Sequence, residues 1–207
     1  GSWLSYGLGS MNENLPTFVV IPDARGLPYN GQKAFSSGFL PAAHQGTLIK
    51  PSAPSPIHDL FPPESAEFIT PTSEQEGLSL LNTLNREHLR AHPGDSRLNA
   101  RVLSYELAAR MQLGAPPVLD ESSESEATRR LYGLDDKKTE DFARNCLAAR
   151  RLSEAGVRFV QVWSGTNGAV ENWDNHQDIE TQLSSIAGRT DKPIAGLFRD
   201  LKARGLL

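Results

Sequence analysis

Residues 139–163 read TEDFARNCLAARRLSEAGVRFVQVW, and the change of rhythm inside this stretch decides the fold class. Thr139 stands as an N-cap, and Phe142, Cys146, Ala149 and Leu152 recur at three- and four-residue spacing, which gives a helix one apolar stripe. Gly156 ends that helix, and residues 157–163 continue as an apolar, β-branched and aromatic run of strand type. Nearer the N-terminus, residues 15–21 (LPTFVVI) form a second short apolar run, closed by Pro22. Strand, helices and strand in this order predict an α/β domain with a mostly parallel sheet.

Between the two strand runs the composition shifts twice. Residues 23–63 carry Gly26, Pro28, Gly31, Gly38, Pro41, Gly46, Pro51 and four further prolines, which rule out long regular elements. A loop of that length inside a domain is functional or wraps the surface. Phe35, Phe39, Leu40, Ile57, Leu60 and Phe61 make it too apolar for disorder. Helical spacing follows. Ser73 with Glu76 forms a capping-box pattern ahead of Leu78, Leu81, Leu84 and Leu89, and Pro93-Gly94 stops the helix. A second helix is expected over 96–113, with Leu98, Val102, Tyr105, Leu107, Ala109 and Met111, ended by Gly114 and Pro116. A third covers 121–131. After residue 163 the pattern predicts two helices, 177–187 and 190–204, with Pro193 in the first turn of the latter.

The chain has 207 residues, 38% hydrophobic and 22% charged, which suits one globular domain with a real core. A net charge of −4, with the two signs mixed along the chain, offers no basic field for nucleic acid or an anionic membrane. No apolar run approaches the ~20 residues of a transmembrane segment. The single cysteine, Cys146, cannot form an intrachain disulfide, and its mid-helix setting makes it a small buried hydrophobe. The first residues show neither a charged n-region nor an apolar h-region, and no initiator methionine, so the chain reads as a piece of something longer.

Ligands of open α/β sheets bind beyond the carboxyl ends of strands. That rule puts residues 164–178 first, where Glu171, Asp174, His176 and Asp178 lie close together. Asp174 and His176 are two apart, so an extended backbone sends both side chains to one side. A carboxylate and an imidazole so placed can share a divalent cation such as zinc. The alternative is that Asp174 caps the next helix and His176 lies in its exposed first turn. Two ligands also fall short of the roughly three that a catalytic zinc takes from protein. His44 and His58 are isolated on the long loop. His88 and His92 have the four-residue spacing of a helical zinc motif, but Leu89 stands where the general base belongs and Pro93 follows, as at a solvated helix end. Arg150-Arg151 reads as a structural ion pair or solvated face, and Ser36-Ser37-Gly38-Phe39 as a turn. There is no nucleophile elbow, no phosphate-binding loop and no dinucleotide fingerprint.

Several stretches, in order along the chain, resemble one family. They are GSWLSYGLGS (1–10) with NLPTFVV (14–20), SSGFLP (36–41) with QGT (45–47), and SYELA (104–108) with RMQ (110–112). FARNCLAARRL (142–152) with GVRFVQ (156–161), then Trp173-Asp174-Asn175-His176, complete the series. Together they resemble the DUF1501 family, which is similar in fold to alkaline phosphatases and sulfatases. The resemblance implies a partial alkaline phosphatase-like α/β fold, a mostly parallel sheet flanked by helices. Residues 1–207 would form one incomplete domain, with 23–135 a loop-plus-helix insertion. It implies Asp174 and His176 as ligands of a divalent metal, zinc or calcium, and hydrolysis of phosphate or sulfate esters on a small molecule or polysaccharide. It also implies a location outside the cytoplasm. The nucleophile and first metal acid would lie before Gly1 and further segments beyond Leu207, so the segment alone is expected to be inactive. The competing expectation is a non-catalytic member that binds a polysaccharide or protein partner through residues 23–63.

Overall fold

Phe18–Ile21 form β1, whose four side chains are all buried, at the centre of a three-stranded parallel sheet. The order is β2 (Thr47–Leu48), β1, β3 (Phe159–Val162), with Val19 opposite Thr47 on one side and Val160 on the other. This computed structural model describes residues 1–58, 60–61, 65–66, 69–166 and 172–207, the side chains of Ser96 and Leu113 apart. The two-residue period of β1 divides the core. Val19 and Ile21 face a cluster with Ile49, Met111, Ala115, Ala149 and Leu152, while Phe18 and Val20 face Phe35. The Pro- and Gly-rich loop therefore covers one face of the sheet and supplies β2, a strand too short for any sequence period to announce.

Helices flank the sheet as expected, but their ends differ from the sequence reading. They are α1 (Ser2–Leu8), α2 (Pro71–Ala91), α3 (Ser96–Leu119), α4 (Glu126–Tyr132), α5 (Glu140–Glu154) and α6 (Ile179–Ala203). The capping box of α2 is Thr70 with Ser73, three residues earlier than expected, because Pro71 already holds the φ of a first helical residue. α3 continues through Gly114, Pro116 and Pro117 instead of stopping at 113. Ala115 is buried against β1, and Arg151 donates to the carbonyls of Pro117 and Val118 at the helix end (2.9 and 2.7 Å), so packing outweighs the two missing N–H donors. The third helix is replaced by a 3₁₀ turn, Glu121–Ser123, and then α4, capped by Ser125. Thr139 does not cap α5 with its side chain; its hydroxyl turns back and donates to Gly133 O at 2.6 Å.

The two final helices are one. Ile186, Thr190, Pro193, Gly196 and Asp200 make an unbroken buried stripe along α6, so no face of it is free to break at residue 188. Pro193 lies in the helix interior, where the lost hydrogen bond is tolerated because α6 packs along both α4 and α5. At Gly196 a Cβ would sit 2.6 Å from Leu131 O, so only glycine permits this approach of α6 to α4.

What locks these helices together is a buried ionic cluster. Arg150 is 3% exposed; it bonds Glu124 at 2.6 Å and Glu154 at 2.5 Å, and its Nε lies 3.2 Å from Asp200 Oδ2. Tyr132 donates its hydroxyl to Asp200 (2.9 Å), Arg204 bridges Asp200 and Glu154 (both 2.7 Å), and Arg151 pairs with Glu124. Three guanidinium groups thus face three carboxylates. Burial and the Asp200 carboxylate push the Tyr132 phenol well above its usual range, so it stays a donor.

Two stability predictions follow from this packing. Arg150→Ala leaves three carboxylates to two guanidinium groups, an uncompensated charge in the interior, and is expected to cost roughly 3–5 kcal/mol. Arg144→Ala, which removes a half-exposed pair with Glu121 and Glu140, should cost about 1 kcal/mol or less. Urea denaturation of both variants checks this, and equal losses would contradict the account. Gly196→Ala should cost about 2 kcal/mol by overpacking. On α2, Gly77→Ala, with open space around it, should instead gain about 0.5–1 kcal/mol, as read by thermal melting.

Candidate functional site

β1 and β3 both release the chain at the same end of the sheet, β1 into Pro22-Asp23-Ala24-Arg25 and β3 into Trp163-Ser164-Gly165. Asp23 joins the two exits. Its Oδ2 accepts the Gly165 N–H at 2.8 Å, and Arg25 donates to the carboxylate through Nε (2.8 Å), Nη2 (2.7 Å) and its backbone N–H (3.0 Å). Gly165, at φ 93°, turns the chain so that its N–H meets that carboxylate. Burial pushes the Asp23 carboxyl up, but the Arg25 and Gly165 hydrogen bonds outweigh it and hold the group below the usual carboxylate range.

Above these exits lies a cavity of about 350 Å³, lined by Asp23, Arg25, Ser164, the turn before α5 (Lys137, Lys138), the first turns of α5 (Asp141, Asn145) and the middle of α6 (Arg189, Thr190). Asn145 is buried and donates to Pro22 O at 2.9 Å, which fixes α5 against the end of β1. Four cationic side chains meet two carboxylates in this lining, and one of those, Asp23, is already engaged by Arg25. The sequence reading applied the strand-end rule to β3 and not to β1; applied to both, it reaches Asp23 and Arg25 directly. Lys137, Lys138 and Arg189 carry no sequence signal, because only the packing of α5 against α6 brings them together.

Asp174 and His176 are brought together as their spacing predicts. His176 Nδ1 lies 2.9 Å from Asp174 Oδ1, with the side chains 74% and 75% exposed. The Asp174 N–H bonds Asn172 Oδ1 (2.7 Å), and Trp173 Nε1 donates to Ser164 Oγ (3.3 Å), which anchors the segment beside the cavity lining. Asp174 does not cap α6: that helix starts at Ile179, after Asp178 at φ 48°. Glu171, with residues 167–170, lies outside the described residues. A carboxylate and an imidazole are suitable donors for zinc, but among the described residues no three His, Cys, Asp or Glu side chains converge, so the pair is one protein ligand short of a catalytic zinc.

The remaining sequence candidates settle on structural roles. His92 packs on His88 at the exposed end of α2, with Nδ1 3.0 Å from His88 O. His44 meets Ser5 Oγ at 2.9 Å and the edge of Tyr6. Burial pushes the Cys146 thiol up to about 12, which removes any thiolate at neutral pH. Arg150 and Arg151 belong to the buried ionic cluster.

Fold and site define a parallel α/β protein whose strand exits are braced by one buried aspartate beneath a cation-rich cavity. The family model described as "Protein of unknown function (DUF1501)" matches residues 1–207, and the chain belongs to that family. No curated protein and no solved structure matches it.

Asp23→Asn tests the brace through pH. A carboxyl held low when folded contributes its stability fully above the unfolded value of about 4, and loses it as pH falls toward the folded value. The urea midpoint of the variant should therefore lie below wild type near neutrality and converge with it below about pH 4. A gap unchanged across that range would mean that Asp23 does not act as an anion.

Proposed function

We propose that this chain is part of a metal-dependent hydrolase of phosphate or sulfate esters, in which Asp174 and His176 supply two ligands to a divalent cation. The observation that carries the reading is the carboxylate–imidazole pair at 2.9 Å on the segment leaving β3. Its place beyond a strand's carboxyl end supports it, as does the match of Trp173-Asp174-Asn175-His176 to the family's Trp-Asp-x-His, by analogy with the alkaline phosphatases and sulfatases that the family resembles in fold. Zinc suits the mixed oxygen and nitrogen donors; calcium would call for more oxygen ligands. Such a cation, when bound, polarises an ester oxygen and stabilises the leaving oxyanion. Further ligands and the nucleophile are proposed to come from residues beyond those described. The ester is carried on a small molecule or polysaccharide, and the location proposed is outside the cytoplasm.

One observation favours a second reading, a binding module for a polysaccharide. Phe39, 84% exposed on the Pro- and Gly-rich loop, stands edge to face with Trp3 at 5.3 Å, and Tyr29 on the same loop is also exposed. Exposed aromatic faces of this kind stack on sugar rings.

Metal content and hydrolysis of aryl phosphate and aryl sulfate, measured on full-length protein purified without chelators, separate the two. Asp174→Ala and His176→Ala should each lower metal occupancy and hydrolysis by at least ~10-fold. Absence of stoichiometric metal, with hydrolysis unaltered in both variants, would overturn the assignment. Loss of polysaccharide retention on Trp3→Ala and Phe39→Ala, with no hydrolysis in any form, would establish the second reading.

A further inference from the structure

We infer that the exposed apolar stripe of α6 docks antiparallel on the same stripe of a second copy of this chain. A helix turns about 100° per residue, so Leu183, Ala187, Ile194 and Phe198 fall within about 60° of one another on α6. Ile186, Thr190, Pro193 and Gly196, on the adjoining face, are buried where α6 packs on α4 and α5. The stripe itself faces outward: Leu183 is 43%, Ile194 40% and Phe198 53% exposed. Single apolar side chains on a surface are ordinary. A line of them along about 22 Å of one helix marks an interaction site.

The symmetry of the stripe selects a second copy as its occupant. Ala187 and Ile194 lie equally far from a point between Thr190 and Asp191, and so do Leu183 and Phe198. Two α6 helices laid antiparallel about a two-fold axis at that point set each Phe198 against Leu183 of the other copy. Ile194 then meets the small Ala187, so bulk faces space, as an isologous contact requires. Charge obeys the same symmetry. Glu180 in the first turn and Lys202 in the last flank the stripe on one side, at nearly equal distances from the axis. Neither makes an ion pair among the described residues. In the antiparallel pair each Glu180 meets Lys202 of the other copy, whereas a parallel pair would bring like charges together. Asp191 alone is discordant, since it stands beside the axis and approaches its own copy. One helix from each copy buries less than about 1,200 Å² in total, which suits a weak, reversible dimer with Kd on the order of 10 μM.

The pairing is independent of the metal reading, and neither stands or falls with the other. Sedimentation velocity of the full-length protein from ~1 to ~200 μM tests it, with a monomer–dimer equilibrium expected inside that range. Phe198→Glu, a change on an exposed face, should weaken dimerisation by at least ~10-fold, and Asp191→Asn should tighten it by ~3-fold. Glu180→Lys and Lys202→Glu should each weaken it by ~3-fold, while the double variant regains wild-type association, because an antiparallel pair exchanges these two charges. Circular dichroism identical to wild type shows that the variants fold. A protein still monomeric at ~200 μM, a dimer indifferent to Phe198→Glu, or a double charge variant no tighter than the single ones would each overturn the proposal. So would dimerisation of residues 1–207 alone with a monomeric full-length protein, which would assign the stripe to another segment of the same polypeptide.

Discussion

Burying a guanidinium costs several kcal/mol unless carboxylates meet it inside the protein, and Arg150 on α5 is buried. Its partners sit on three different parts of the chain: Glu124 before α4, Glu154 at the end of α5 and Asp200 on α6. No one of them satisfies all five N–H donors of the guanidinium, so these segments must dock together for the core to close. Tyr132 on α4 joins Arg150 at Asp200 Oδ2, and Arg204 at the end of α6 takes Oδ1. This requirement holds α6 straight through Pro193 and presses it against α4 at Gly196, where a larger side chain has no room.

The candidate site is a consequence of that docking. With α6 held along α5, the first half of α6 delivers Arg189 and Thr190 to the end of the sheet, where Lys137, Lys138 and Asn145 wait at the start of α5. Asp23 performs the matching task for the strands, tying the β3 exit to the β1 exit through the Gly165 N–H. Asp174 and His176 leave from that braced turn, with Trp173 returning to Ser164. Cavity and pair therefore share one foundation, although one is a concavity between strands and helices and the other projects into solvent.

Much of this was legible residue by residue. The β-branched runs around Val19 and Val160 announced two strands, and the apolar stripe through Cys146 and Leu152 announced α5 with its ends nearly right. The two-residue spacing of Asp174 and His176 placed their side chains on one side, where they lie 2.9 Å apart. Helix ends were the weak point: where α3 and α6 run on, Gly114, Pro116, Gly188 and Pro193 are local breakers overruled by burial of Ala115 on α3 and of Thr190 and Gly196 on α6. Thr139 shows the reverse, a residue of ideal capping type whose hydroxyl finds a nearer carbonyl at Gly133.

By itself the sequence determined the class of fold, the inert Cys146, the nearness of Asp174 and His176 and, through its ordered resemblances, the family. Each of these depends on neighbours within a few residues or on the pattern of whole segments, which a linear chain already contains. The tertiary structure alone decided that Arg150 is buried, that α6 is one helix, and that Lys137, Lys138 and Arg189 share a cavity with Asp23 and Arg25. Those contacts join residues tens to more than a hundred positions apart, and they form because desolvated charges and apolar stripes must find partners wherever in the chain those partners lie.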